Sequence, residues 1–244
     1  MSHAHHAILR PLHPQLNCAA VHVYCVLRIK EFQRAHKRKK ANESAPSSSA
    51  AGGDAQAAKK QRKAGEEDSS ALVAEIKEQL RLPQAMKLKL IEDWERITRE
   101  KKLVELPRQP SITVLLENFL QAKAKRTSHE RLYGEVCDGV KTFFNQAIGT
   151  VLLYKYERKQ FRDLKDSHRG TPYVDLYGAE HLLRLFVKMP ELLAHCKMQN
   201  EHLTVLLSKL LELLKFVQAN KAQYFAEGYM APGEEYLQWW QTES

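Results

Sequence analysis

Glycine is scarce in this chain, 10 in 244 residues, and none stands in a GxGxxG or P-loop pattern. That scarcity argues against loops that cradle phosphate on backbone amides. Cysteine is scarcer still. Cys18, Cys25, Cys137 and Cys196 are scattered and form no CxxC pair, so reduced thiols in a cytosolic or nuclear protein are expected. No run approaches the roughly 20 apolar residues that cross a bilayer, and no apolar stretch with a small-residue cleavage site opens the chain; no membrane contact is expected. GxSxG and HExxH are absent, and with them the commonest hydrolase signatures. The adjacent carboxylates Glu92–Asp93 and Glu234–Glu235 diverge on a helix and do not converge on a substrate. His195 and Cys196 diverge in the same way, which disfavours a catalytic dyad. His3, His5 and His6 lie in a terminal segment, and a structural metal site needs four ligands held by a fold. No catalytic residue, metal site or cofactor is therefore expected, and the chain does not read as an enzyme.

The composition, 43% hydrophobic and 27% charged, is that of an ordinary soluble globular chain. The net charge of +9 is uneven. Residues 1–70 hold 12 Lys or Arg against 6 Asp or Glu, and the remaining 174 hold 26 against 23. Residues 1–41 start His- and Pro-rich, turn apolar, and end in the basic run HKRKK at 36–40. Residues 42–71 are Ala, Ser, Gly and Lys with little to bury, and read as a disordered basic linker. KKQRK at 59–63 and HKRKK resemble nuclear import signals, although basic pentamers are also common as solvated charge runs. The basic tail makes weak nucleic-acid contact an alternative function.

From residue 72 the apolar spacing becomes helical and stays so to residue 244. Leu72, Val73, Ile76 and Leu80 form one stripe, which Pro83 interrupts. Leu88, Ile91, Trp94 and Ile97 step by threes on a helix expected near 86–101. A helix near 130–148 carries Leu132, Val136, Val140, Phe143 and Ala147, and Gly149 marks a break. The run TVLLYKYERKQFRDL reads as another helix. Pro190 should kink or split the helix over 179–196. Asn200 reads as an N-cap, opening a helix whose wide apolar face (Leu203, Leu206, Leu207, Leu210, Leu211, Leu213, Leu214, Val217) predicts a central position. EEYLQWWQ (234–241) reads as a short helix that docks Trp239 or Trp240. The expectation is an all-α domain of six to eight helices, with no strand and no internal repeat.

Four segments in order resemble one family: LIEDWERITREKKLVELP (90–107), FFNQAIGTVLLYKYERKQF (143–161), LYGAEHLLRLFVKMPELL (176–193) and LLSKLLELLKF (206–216). They are similar to the MRG domain of mortality-factor-related chromatin proteins, over about 86–241. The resemblance implies an all-α domain without catalytic activity, acting in the nucleus within histone acetyltransferase and deacetylase complexes. It implies an apolar surface pocket for partner segments that contain a Phe and a Leu-Pro pair. Carried over residue by residue, that pocket includes Leu90, Ile91 and Trp94 of LIEDW, and His181, Leu182, Arg184 and Leu185 of HLLRL. Chromatin regulation, transcription and DNA repair are the processes it points to. Full-length members of the family it resembles usually begin with a chromodomain, whose aromatic cage needs several rings. Residues 1–72 hold only Tyr24 and Phe32 of the 20 aromatics, and VLRIKEFQRAHKRKKAN resembles only the end of such a module, so reading of histone marks is not expected. This sequence also departs from the family at Val104 and Glu105, where an aromatic pair is usual, at Glu180 and Lys159, where Pro is usual, and at Pro190.

Taken alone, the three-residue spacing of Ile91 and Trp94 reads as core packing. The resemblance reverses that reading for Trp94 and makes it a half-exposed anchor. For Arg184 two readings stay open: a solvent-facing residue, or a buried one paired with a carboxylate or with peptide carbonyls.

Overall fold

A computed structural model describes residues 70–124, 130–196, 198–225 and 228–243. The segment 1–41 and the linker lie outside the described residues, except that Ser70 and Ala71 already belong to the first helix. The histidine cluster, both basic pentamers, Cys18 and Cys25 are likewise outside them.

The described chain is an all-α domain. Helix α1 covers 70–79 and α2 Gln84–Thr98; a two-residue strand β1, Leu103–Val104, precedes α3, Ile112–Ala124, and α4, Glu130–Ala147. A π turn (Ile148–Leu152) and a 3-10 turn (Lys155–Glu157) lead into α5, Arg158–Ser167. Then come α6, Tyr173–Leu176; α7, Ala179–Ala194; α8, Asn200–Ala219; α9, Lys221–Tyr224; β2, Tyr229–Met230; and α10, Glu234–Glu243. Eight of these helices have ten residues or more, and two are single turns.

Local chemistry explains most boundaries. Pro83 sits just before α2, where its missing N–H is not needed. Ser111 Oγ accepts from the Val114 N–H (3.4 Å) and caps α3. Asn200 is not the expected cap: it is the first helical residue of α8, and Gln199 precedes it without a side-chain cap. The run TVLLYKYERKQFRDL is not one helix either. The chain passes from the π turn through extended residues at Leu153 and Tyr154 before α5 begins. Gly149 lets the π turn approach Phe161 closely, since a Cβ there would lie 2.9 Å from that ring. Pro190 neither splits nor ends α7, which runs on to Ala194.

The main core gathers α1, α3, α4, α7 and α8 around Phe119, Phe144, Leu185, Phe186 and Leu213. The most enclosed helix is α7 rather than α8: only Val187, Lys188 and Glu191 escape full burial. A second, smaller core joins Ile97, Leu103, Val104, Tyr156 and Tyr236. There Trp240 meets Tyr156 edge-on, with ring centres 4.9 Å apart, so α10 docks through its aromatics. The unexpected ribbon pairs Leu103 with Met230 and Val104 with Tyr229, antiparallel. Glu180, a departure from the family pattern, is buried against Arg108, which donates to its Oε1 at 2.9 and 3.2 Å.

Candidate functional site

Helix α2 presents two unlike faces. Met86, Asp93 and Ile97 are buried, at spacings of seven and four that hold one side of a helix. Leu88, Ile91 and Trp94 face outward, 56, 52 and 41% exposed. A step of three turns the helix by about 300°. The stripe therefore drifts about 60° at each step, and Ile97 alone reaches the buried side. The Arg99 guanidinium lies 4.9 Å from the Trp94 ring centre, a cation–π contact that leaves the indole at the surface. Beside the ridge, Glu92 accepts from Lys89 and Arg96, both at 2.7 Å. The Lys89 hydrogen bond, against a smaller effect of burial, holds the Glu92 carboxyl below its ordinary range.

A buried charge cluster holds this helix in place. Arg184 of α7 donates through Nε and Nη2 to both oxygens of Asp93, at 2.7 and 2.9 Å. Its Nη1 donates to Glu157 Oε2 at 2.6 Å and to the Leu152 carbonyl at 3.1 Å. The Tyr229 hydroxyl donates to Asp93 Oδ1 at 2.8 Å, and the Tyr154 ring lies 4.2 Å from the guanidinium carbon. His181 Nε2 stands 2.9 Å from Glu157 Oε1. Asp93, Glu157, His181 and Arg184 are all buried. Burial by itself would push the Glu157 carboxyl up, but the charge of Arg184 and the contact with His181 outweigh it and bring the pKa down to about 2. Burial works against the charged form of Arg184 too, and the two carboxylates reverse the effect, raising it well above its ordinary value. Burial, and then Asp93, push the Tyr229 hydroxyl far up, so it stays a donor. Because Asp93, Glu157 and Arg184 are each bonded more than once, the cluster fixes the approach of α2 to α7.

The expected site residues divide accordingly. Ile91 and Trp94 are exposed, and Leu90 is half-buried against the core. His181, Leu182 and Leu185 are 0, 1 and 0% exposed, which corrects their placement on a surface pocket. They lie on α7, which is wrapped on nearly every side, so their apolar spacing serves the core. Arg184 is the buried residue of the second reading, paired with carboxylates and with this chain's own Leu152 carbonyl. Leu88, which the motif did not single out, joins the ridge. Tyr229 and Asp93 were missed as supports. For Asp93 a signal existed, since a carboxylate seven residues from Met86 on a helix's apolar face calls for a buried cation. An open hollow beside the C-terminal end of α2 is lined by Arg96, Glu100, Lys102, Glu105, Gly228, Tyr229 and Met230. Its lining is mostly polar, unlike the ridge.

Among the described residues no group of three or more His, Cys, Asp or Glu could hold a metal ion, and no helix is long and apolar enough to cross a membrane. His195 is exposed, with Nδ1 2.6 Å from the Glu191 carbonyl, whereas Cys196 is buried and its thiol donates to the Leu192 carbonyl. Burial pushes the Cys137 thiol up to about 12, which keeps it unreactive.

A family model described as MRG matches residues 58–231. Mortality factor 4-like protein 2 of Homo sapiens is 36% identical over 162 residues, which cover 65% of this chain and 56% of that protein. Its Rattus norvegicus counterpart is 34% identical over 170 residues, 68% of this chain and 59% of the relative. The NuA4 complex subunit EAF3 homolog of Dictyostelium discoideum is 34% identical over 158 residues, 65% of this chain and 41% of the relative. The chain thus spans between about two fifths and three fifths of the length of these relatives.

Proposed function

Given that the chain belongs to the MRG family, we propose that it is a non-catalytic, nuclear, chromatin-associated subunit that docks other proteins on the α2 ridge. One observation carries this reading: Leu88, Ile91 and Trp94 stand exposed on a helix whose opposite side is fastened by the buried Arg184 cluster. Exposed aliphatic side chains around an exposed indole suit the desolvated anchors that dominate protein–protein binding. A rigid support adds to this, because a preformed surface loses little freedom on binding. The relative named as a NuA4 complex subunit supports the kind of assembly. By the resemblance of the LIEDW segment, the partners are subunits of histone acetyltransferase and deacetylase complexes. They enter through short segments with a Phe and a Leu-Pro pair, where Pro limits the freedom lost on docking. Leu90, half-buried against the core, supports the helix that carries the ridge. His181, Leu182, Arg184 and Leu185 act from the interior, by holding α7 and α2 together.

Ile91→Asp tests the reading. Ile91 is 52% exposed, so the variant should melt close to the parent while losing co-purification with acetyltransferase and deacetylase subunits from nuclear extract. Full retention of those subunits would contradict the docking role.

A further inference from the structure

The 174 residues from 71 to 244 carry 26 basic and 23 acidic side chains. One short segment accounts for the whole excess. Residues 155–169 hold Lys155, Arg158, Lys159, Arg162, Lys165 and Arg169 against Glu157, Asp163 and Asp166, and outside them the count is 20 against 20. Glu157 is turned inward onto Arg184. Lys159 takes Asp163 at 2.8 Å, and Asp166 stands 3.5 Å from Arg169 in open solvent. Arg158, Arg162 and Lys165 form no ion pair among the described residues. At spacings of four and three they share a face of α5 about 60° wide and span about 10 Å along its axis. Leu164, the buried residue of α5, points away from that face. Phe161, the apolar neighbour on one flank, packs on Tyr173 with ring centres 5.2 Å apart. On the other side α10 supplies rings. The Arg162 guanidinium carbon lies 5.4 Å from the centre of Trp239, and the Lys155 and Lys101 ammonium groups lie 5.1 and 4.9 Å from Trp240. The half-buried Trp239 indole orients Arg162 without neutralising it.

We infer that this face of α5 binds the phosphate backbone of duplex DNA, independently of sequence. Arg and Lys repeated along a helix face match a strand with one phosphate per about 3.4 Å of axis, and guanidinium groups take phosphate oxygens in pairs. No exposed apolar side chain on α5 separates the three cations. A protein partner would need such an anchor, whereas backbone contact with DNA needs none. The face lies on α5, apart from the α2 ridge, and the inference stands whether or not the ridge docks partners.

The test titrates a fluorescein-labelled duplex of about 20 base pairs by fluorescence anisotropy at several salt concentrations. The protein is the full chain with Lys37, Arg38, Lys39, Lys40, Lys59, Lys60, Arg62 and Lys63 changed to Gln, which silences the terminal basic runs. That chain should still bind, with log K falling against log salt at a slope near three. Adding Arg158→Gln, Arg162→Gln and Lys165→Gln should weaken binding at least about tenfold and remove most of that slope. The charge-keeping set Arg158→Lys, Arg162→Lys and Lys165→Arg should restore it. If the triple Gln variant does not melt cooperatively, Arg162→Gln and Lys165→Gln singly should each take off about one unit of slope. No binding by the starting chain, an unchanged slope in the folded Gln variants, or equal competition by polyglutamate of matched charge would each overturn the assignment.

Discussion

Asp93 and Trp94 are neighbours in the sequence, yet one is buried in a charge cluster and the other stands at the surface. Adjacent residues on a helix point about 100° apart, so a single turn can both fasten the helix and present an anchor. The fastening depends on pH through Glu157. Its folded pKa of about 2 lies below the ordinary 4.5. A carboxylate lowered in this way contributes stability that is fully present above about pH 4.5 and lost as pH falls toward 2. Urea midpoints measured from pH 7 down to pH 2 should therefore fall over that window. In Glu157→Gln the midpoint at pH 7 should be lower and the decline shallower. A decline of unchanged steepness would contradict the role given to Glu157. Some decline should persist in the variant, because Glu212 is also lowered to about 2: burial raises it, and hydrogen bonds from Lys123, Lys209 and Tyr133 outweigh that.

At the scale of the element, legibility followed length and periodicity. Helix α4 spans Glu130–Ala147 against an expected 130–148, because five apolar residues at steps of three and four leave one interpretation. The two-residue strands could not be read, since no alternation exists in two residues and the pairing joins Leu103 to Met230, far apart in the chain. The stretch after Gly149 misled for a different reason: its apolar residues serve a π turn and an extended passage that share no helical face. Two glycines put the packing of these elements to a measurement. Gly139 lies inside α4, and a methyl group added there would meet nothing within 4 Å, so Gly139→Ala should raise stability by about 0.5–1 kcal/mol. At Gly178, before α7, a Cβ would lie 2.4 Å from Arg108 Cγ and 2.8 Å from Glu180 Oε2. Gly178→Ala should therefore lower stability by about 1–3 kcal/mol. Urea denaturation of the pair decides, and equal effects would contradict the packing described around Arg108.

Across the whole molecule, the all-α class and the family were legible from four ordered motifs, but the division between surface and interior was not. HLLRL and LIEDW are both apolar, and no periodicity distinguishes a helix wrapped on all sides from one that leaves an apolar ridge open. That difference comes from tertiary packing: α7 is enclosed, whereas α2 buries Met86, Asp93 and Ile97 and leaves Leu88, Ile91 and Trp94 exposed. The charge of the domain was legible as a near-neutral total but not as a concentrated one, because the count over 174 residues hid the segment 155–169. An enclosed helix thus clamps a second helix through buried charges, so that an indole remains available to a partner. The decisive measurement is calorimetric titration of a peptide containing a Phe and a Leu-Pro pair into parent and Trp94→Ala chains, with melting curves of both. Trp94→Ala should lose about 2 kcal/mol, or about thirtyfold in affinity, and keep its cooperative melting; unchanged affinity, or a variant that no longer melts cooperatively, would rule out an exposed Trp94 anchor.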